Sequence, residues 1–167
     1  MKINIYPILK GKLDFLSSNY DFEVGGYLTG YVEDGQIYLD DLLIPNQSLS
    51  KTHVEITSLQ QLELRQKYGD KVKNILGHWH SHHSMGCFWS QTDLNNMNNL
   101  SLNKEFFVFV VSSNSKHLIS VYLKKPFNIV IDDCELNCYN QSIKEVELFV
   151  EELRKQQSVK PSPSQTY

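Results

Sequence analysis

Apolar and polar residues alternate in KINIY near the N-terminus, which predicts a short strand. From Pro7 to Tyr20 the chain carries Ile8, Leu9, Leu13, Phe15 and Leu16, which predicts a helix with Pro7 accommodated in its first turn. FEVGGYLTGYV is an apolar run that contains Gly25, Gly26 and Gly30. Glu33-Asp34-Gly35 signals a turn and QIYLDDLLIP returns, so the two runs predict an antiparallel hairpin. His53 to Ile56 alternates and predicts another strand. Thr57 and Ser58 each stand three residues before a glutamine, and either pair forms a capping box for a helix over SLQQLELRQKYG, ended by Gly69. Val72 to Trp79 predicts a strand that runs into a cluster of histidines. Ser90 as N-cap, Asp93 three residues later, and Leu94, Met97 and Leu100 at intervals of three predict the next helix. EFFVFVVSS and HLISVYL, joined over Ser112–Lys116, and then PFNIVID are β-prone runs. Ser142 and Glu145 form a capping box before IKEVELFVEEL, whose apolar face is Ile143, Val146, Phe149, Val150 and Leu153. Together these elements predict an α/β (α+β) fold: a central mixed, largely antiparallel sheet flanked by helices, with three-layer character.

Composition narrows the setting. The chain has 167 residues, 41% hydrophobic and 21% charged, which predicts one ordinary globular core. We expect a single domain over residues 1–156 and a disordered tail over 157–167, the larger part of KQQSVKPSPSQTY (155–167), which is polar and proline-bearing. A formal charge of −3 without a long basic run argues against nucleic acid as a partner. No apolar stretch approaches the ~18 residues of a membrane span, and the N-terminus lacks the features of a signal peptide, so neither a membrane partner nor export is expected. Cys87, Cys134 and Cys138 are an odd set, read as reduced thiols in a cytoplasm. Cys134 and Cys138 have no second pair to complete a closed zinc site, so they are read as plain thiols near a strand end.

The chemistry concentrates in GHWHSHHSMGCFWSQTD, Gly77 to Asp93, which holds four of the six histidines. On an extended strand His80 and His82 point to the same face, ~6.6–6.8 Å apart along the strand. His78 shares that face further back, and His83 points away. Two imidazoles leave a zinc site incomplete, since a catalytic zinc usually has three protein ligands and an open position for water. Ten residues separate His82 from Asp93, enough for the loop to fold back and supply a carboxylate as third ligand. Glu23 heads an otherwise apolar strand, where a carboxylate costs burial free energy unless it is partnered, and this makes it the candidate general base. A strand-edge glutamate in water is the plainer alternative. The helical HEXXH pattern and the deaminase signature are both absent.

These residues together resemble the JAMM (MPN+, or JAB-domain) zinc metalloprotease motif: two histidines in His-x-His, ten residues to an aspartate, Ser-x-x-Asp, and an upstream Glu-x-x-Gly-x-Leu-x-Gly. Glu23, Gly26, Leu28 and Gly30 fit the last of these, and His80, His82, Ser90 and Asp93 fit the rest. The register that would use His78 and His80 breaks the spacing to Asp93. The family's proline after the second histidine is His83 here. The resemblance runs from about Lys2 to Leu153 and implies a JAB/MPN-like fold with a cytidine-deaminase-like topology.

It also implies a function. One Zn²⁺ per chain would be held by His80, His82 and Asp93. Glu23 would act as general base, and Ser90 as donor to the oxyanion. The implied reaction is hydrolysis that removes or trims ubiquitin or a ubiquitin-like tag. The tail of the substrate would add as a strand near the site. Met85, Phe88 and Trp89 lie between the ligands and would line its groove, or equally serve as packing for the loop. The chain's length is that of a small prokaryotic or phage-type member. Such members resemble deconjugating enzymes of ubiquitin-like or sulfur-carrier systems, with E1- or E2-like operon partners. The competing reading is a non-catalytic scaffold or binding module on the same fold.

Overall fold

In a computed structural model, residues 2–49, 54–55, 58–82, 85–124, 129–132 and 134–138 are described. The strands and helices, in chain order, are β1 (Lys2–Ile5), α1 (Pro7–Asn19), β2 (Gly25–Glu33), β3 (Gln36–Leu43), β4 (Ser48–Leu49), β5 (Val54–Glu55), α2 (Ser58–Tyr68), β6 (Ile75–Ser81), α3 (Gln91–Ser101), β7 (Phe106–Ser113), β8 (Lys116–Leu123), β9 (Ile129–Ile131) and β10 (Glu135–Cys138). A turn of 3₁₀-helix, Gly69–Asn74, joins α2 to β6. Eight strands form one mixed sheet in the order β10-β1-β3-β2-β6-β7-β8-β9, and β4 and β5 make a separate small hairpin. The β1–β10, β1–β3 and β6–β7 pairs are parallel, and the other four pairs in the large sheet are antiparallel. The predicted helix over IKEVELFVEEL, the tail, His53 and His83 lie outside the described residues.

The period of two along each strand builds the layers. On β7, Val108 and Val110 join the core that also contains Leu9, Leu13 and Leu16 of α1, whereas Phe107 and Phe109 join a second cluster with Met97 of α3. Leu64 of α2 packs with Tyr27 and Leu43 in a third cluster. α1 therefore covers one face of the sheet, and α2 and α3 cover the other. β6, α3 and β7 form a parallel strand–helix–strand unit, so the N-terminus of α3 stands beyond the carboxyl end of β6.

The β2–β3 turn takes two residues with positive φ, Asp34 at 50° and Gly35 at 71°, the pattern of a two-residue hairpin. Gly30 sits where the β2–β3 register shifts; a Cβ there would lie 1.9 Å from the Tyr38 carbonyl oxygen, so no larger residue fits.

A chain of hydrogen bonds crosses the α1 side. The Trp79 indole N–H donates to Ser112 Oγ at 2.7 Å. Ser112 in turn donates to His117 Nδ1 at 2.6 Å, so the ring carries its proton on Nε2, which donates to Asp14 Oδ1 at 2.8 Å. Lys10 Nζ closes the chain on Asp14 Oδ2 at 2.6 Å. Helix α1 is thereby tied to β6, β7 and β8 at once.

Asp41 is another half-buried carboxylate with strong partners. It accepts from Lys12 Nζ at 2.6 Å, from the Leu42 N–H at 2.8 Å and from Lys71 Nζ at 3.1 Å. Burial favours its protonated form, but the hydrogen bonds and the charge of Lys12 outweigh that and hold the carboxyl below its ordinary 3.8. A depressed folded pKa gives stability that is complete above the unfolded value and lost as pH falls through the folded one. We therefore expect the urea midpoint to fall below about pH 4, and to fall less steeply in Asp41→Asn, which is itself destabilised by roughly 1–2 kcal/mol at neutral pH. Equal slopes in the two proteins would remove Asp41 as a source of the acid sensitivity.

Candidate metal centre

The strand period sets which side chains of β6 meet. Trp79 is fully buried in the α1 core, so His78 and His80 face the opposite side, toward α3. His82 follows just past the strand, its N–H bonded to the Ser112 carbonyl at 2.7 Å. The rings run in file: 6.0 Å between the centroids of His78 and His80, and 4.9 Å between His80 and His82. His80 and His82 are buried.

Asp93 arrives from the first turn of α3. Ser90 caps that helix as the sequence predicts: its Oγ accepts from the Asp93 N–H at 3.2 Å, and the Asp93 carboxylate accepts from the Ser90 N–H at 2.8 Å. The capping box fixes the carboxylate in front of the histidines. His80 Nε2 lies 3.1 Å from Asp93 Oδ1, His82 Nε2 lies 3.5 Å from Asp93 Oδ2, and the two Nε2 atoms are 3.1 Å apart.

Donors ~2.0–2.2 Å from a tetrahedral zinc stand about 3.3–3.6 Å apart; the separations here, with one Asp93 oxygen toward each imidazole, run from 3.1 to 3.5 Å, near that range. Two nitrogens and one carboxylate oxygen are also a donor set that suits zinc. His82 Nδ1 faces the Gly86 carbonyl at 3.2 Å; as donor there it would leave the ring, once Nε2 gives up the proton it shares with Asp93, in the tautomer a ligand needs. The residues present therefore fit the ion.

Electrostatics agree with the geometry. Burial opposes the charge on Asp93, yet the hydrogen bonds from His80, His82 and Ser90 hold its carboxyl far below the usual carboxylate range. Burial also opposes charge on His82, but Asp93, and more weakly Glu23, raise it. At His78 desolvation and the neighbouring His80 outweigh the opposing charge of Asp93 and push it down to about 3. It packs edge-on to Tyr27, ring centroids 5.6 Å apart.

Glu23 is buried. It immediately precedes a segment bound to β6: Val24 N–H donates to Ser81 Oγ at 2.9 Å, Ser81 N–H donates to the Val24 carbonyl at 2.9 Å, and Gly25 stands opposite His80. Continuing that register brings Glu23 level with His82, whose protonated form its charge favours. Pairing of β2 with β6 thus brings residues 23 and 82 to one place.

Ser90 Oγ directs its one proton to Asp93 Oδ2 at 2.6 Å. Of the groove residues, Met85 and Phe88 are exposed, and the Phe88 ring lies edge-on to His82 with centroids 5.0 Å apart. Trp89 is half-buried against the Met97, Phe107, Phe109 and Tyr122 cluster, its ring 6.2 Å from that of His80. Sequence reasoning missed Gly86, whose φ of +86° turns the ligand loop so that its carbonyl meets His82. A glycine inside the ligand loop was the available signal. It also missed Ser81 and Ser112, which anchor the strand and carry no pattern of their own.

A family model described as prokaryotic homologs of the JAB domain matches residues 8–124, a span that includes all five polar residues of the site. No curated protein matches the chain.

Proposed function

The chain belongs to the family of prokaryotic JAB-domain proteins, and on that premise we propose that it is a zinc-dependent isopeptidase or peptidase that removes or processes a ubiquitin-like tag. The observation that carries the reading is the buried triangle of His80, His82 and Asp93 with a buried carboxylate, Glu23, on the neighbouring strand. Zinc bound there would supply Lewis acidity and lower the pKa of water toward ~7. Glu23 would accept the proton of the attacking water and deliver it to the departing amine, as the amide C–N bond breaks and a carboxylate forms. Ser90 would donate to the carbonyl oxygen as charge develops there, and its hydroxyl must turn away from Asp93 to do so. Met85 and Phe88 would offer apolar surface to the substrate tail. The proposed setting is a cytoplasm with E1- or E2-like partners; no helix among the described residues is long and apolar enough to cross a membrane.

Cys87 supplies the decisive test against thiol chemistry, because it too lies between the ligands. Its thiol donates to the Lys116 carbonyl at 3.1 Å, and burial pushes its pKa up, the wrong direction for a nucleophile. With a panel of ubiquitin-like fusions as substrates, we expect a zinc chelator to abolish cleavage and Cys87→Ala to keep the rate within about twofold, the usual scale of a substitution outside the chemistry. Loss of activity in Cys87→Ala with indifference to chelation would overturn the metalloprotease reading. A zinc-loaded protein that binds such fusions and cleaves none would point to the scaffold.

A further inference from the structure

Gln47 makes two hydrogen bonds to a single residue. Its Oε1 accepts from the Gly25 N–H at 2.8 Å, and its Nε2 donates to the Gly25 carbonyl at 2.9 Å. Nε2 also reaches the Pro45 carbonyl at 3.4 Å.

The sheet explains why a side chain is needed there. β2 and β3 are antiparallel with Tyr27 opposite Leu43, and two more steps of that register put Gly25 opposite Pro45. Proline has no N–H, so it cannot serve the Gly25 carbonyl as a ladder partner would. A carboxamide carries a carbonyl acceptor and an N–H donor side by side, the same pair that a peptide group offers a strand. Gln47 fills the place of the missing rung.

The opposite edge of this segment is held by β6, through Val24 and Ser81 and through Gly25 facing His80. Residues 24 and 25 are therefore gripped from both sides, and Glu23 is the next residue along. A shift of the backbone at Gly25 would move the Glu23 carboxylate relative to His82.

We infer that Gln47 is a positioning residue: by replacing the ladder partner that Pro45 cannot provide, it fixes the backbone at Gly25 and with it the place of the Glu23 carboxylate beside the histidine pair. The functional half rests on the proposed role of Glu23; the structural half does not.

The test compares the zinc-loaded full chain with Gln47→Leu, which keeps the bulk and loses both hydrogen bonds. kcat should fall about tenfold with KM nearly unchanged, because a misplaced base costs chemistry more than binding, and zinc content should hold. In a Glu23→Gln background the same change should have no further effect on the residual rate. A drop of equal size in both backgrounds would mean general structural damage and would overturn the inference.

A second readout needs no turnover. The Gly25 amide should exchange with solvent at least about tenfold faster in Gln47→Leu, as for any hydrogen bond opened locally, and the Glu23 carboxyl carbon resonance should move while the Gly77 amide keeps its rate. Unchanged Gly25 exchange and an unmoved Glu23 resonance would overturn the inference even if Glu23 is the base. If Glu23→Gln proves fully active, the reading of the reaction fails, and the exchange and resonance data still decide what Gln47 holds. Should the leucine variant not fold, Gln47→Glu, which keeps the acceptor and gives up the donor, carries the same comparisons.

Discussion

The double substitution His80→Ala/His82→Ala is expected to strip the purified protein of zinc. Two of the three atoms in the triangle disappear, and Asp93 alone offers no chelate. Loss of a group that merely supports a ligand costs ~10–100-fold in metal affinity, so removing two ligands should exceed that range. Metal analysis after dialysis should find about one zinc per wild-type chain and none in the variant, matching the ligand count of a single catalytic site. Zinc should raise the melting temperature of the wild type, because it binds the folded state, and leave that of the variant unmoved. The variant should still fold, since its three apolar clusters contain neither histidine. His78→Ala separates the two possible registers. Its ring packs on Tyr27 and lies outside the triangle, so that variant should keep its metal. Full zinc content in the double variant would sink the assignment, and so would loss of zinc in a folded His78→Ala.

Glu23→Gln should have the largest effect on turnover. Glutamine matches the shape of the buried side chain but cannot accept a proton from water. A general base contributes ~10²–10⁴-fold, or about 3–5 kcal/mol of barrier. Zinc content and melting temperature should stay near those of the wild type, which distinguishes lost chemistry from a lost site. Wild-type rates in this variant, on a fusion that the parent cleaves, would end the case for Glu23 as the base.

Much of this arrangement could be read from the residues. The file of histidines on one face follows from strand alternation, and Ser90 with Asp93 announces a capped helix. What failed to show depends on partners remote in the chain. Val72 was read into the strand before the histidines, but DKVKN is wound as 3₁₀-helix with Val72 packed on the Tyr27 cluster, so β6 starts only at Ile75. A short charged segment carries too little period to separate the two states. β10 pairs in parallel with β1 from the far end of the described chain, and parallel partners leave no local turn signal. The nearness of Glu23 to His82 requires β2 to pair with β6; before that pairing is known, residue 23 is only a carboxylate at the head of an apolar run. Pro45 ends the returning run QIYLDDLLIP and Gln47 lies beyond it with no pattern of its own, because the carboxamide's role appears only once the register opposite Gly25 is fixed.

The link from Trp79 to Lys10 bears on how catalytic serines are searched for. Ser112, His117 and Asp14 stand at the separations of the hydroxyl, imidazole and carboxylate of a serine hydrolase. The ring is used the other way round, with Nδ1 toward the serine and Nε2 toward the acid. Ser112 is 0% exposed, and the Trp79 indole already occupies one lone pair of its oxygen, so an acyl carbonyl has no approach to it. A template built from three distances would accept this trio as a nucleophilic centre; one that also required an open path to the oxygen would pass it over. Here the imitation is a by-product of fastening a helix to three strands with polar groups that run from a buried serine out to a half-exposed carboxylate.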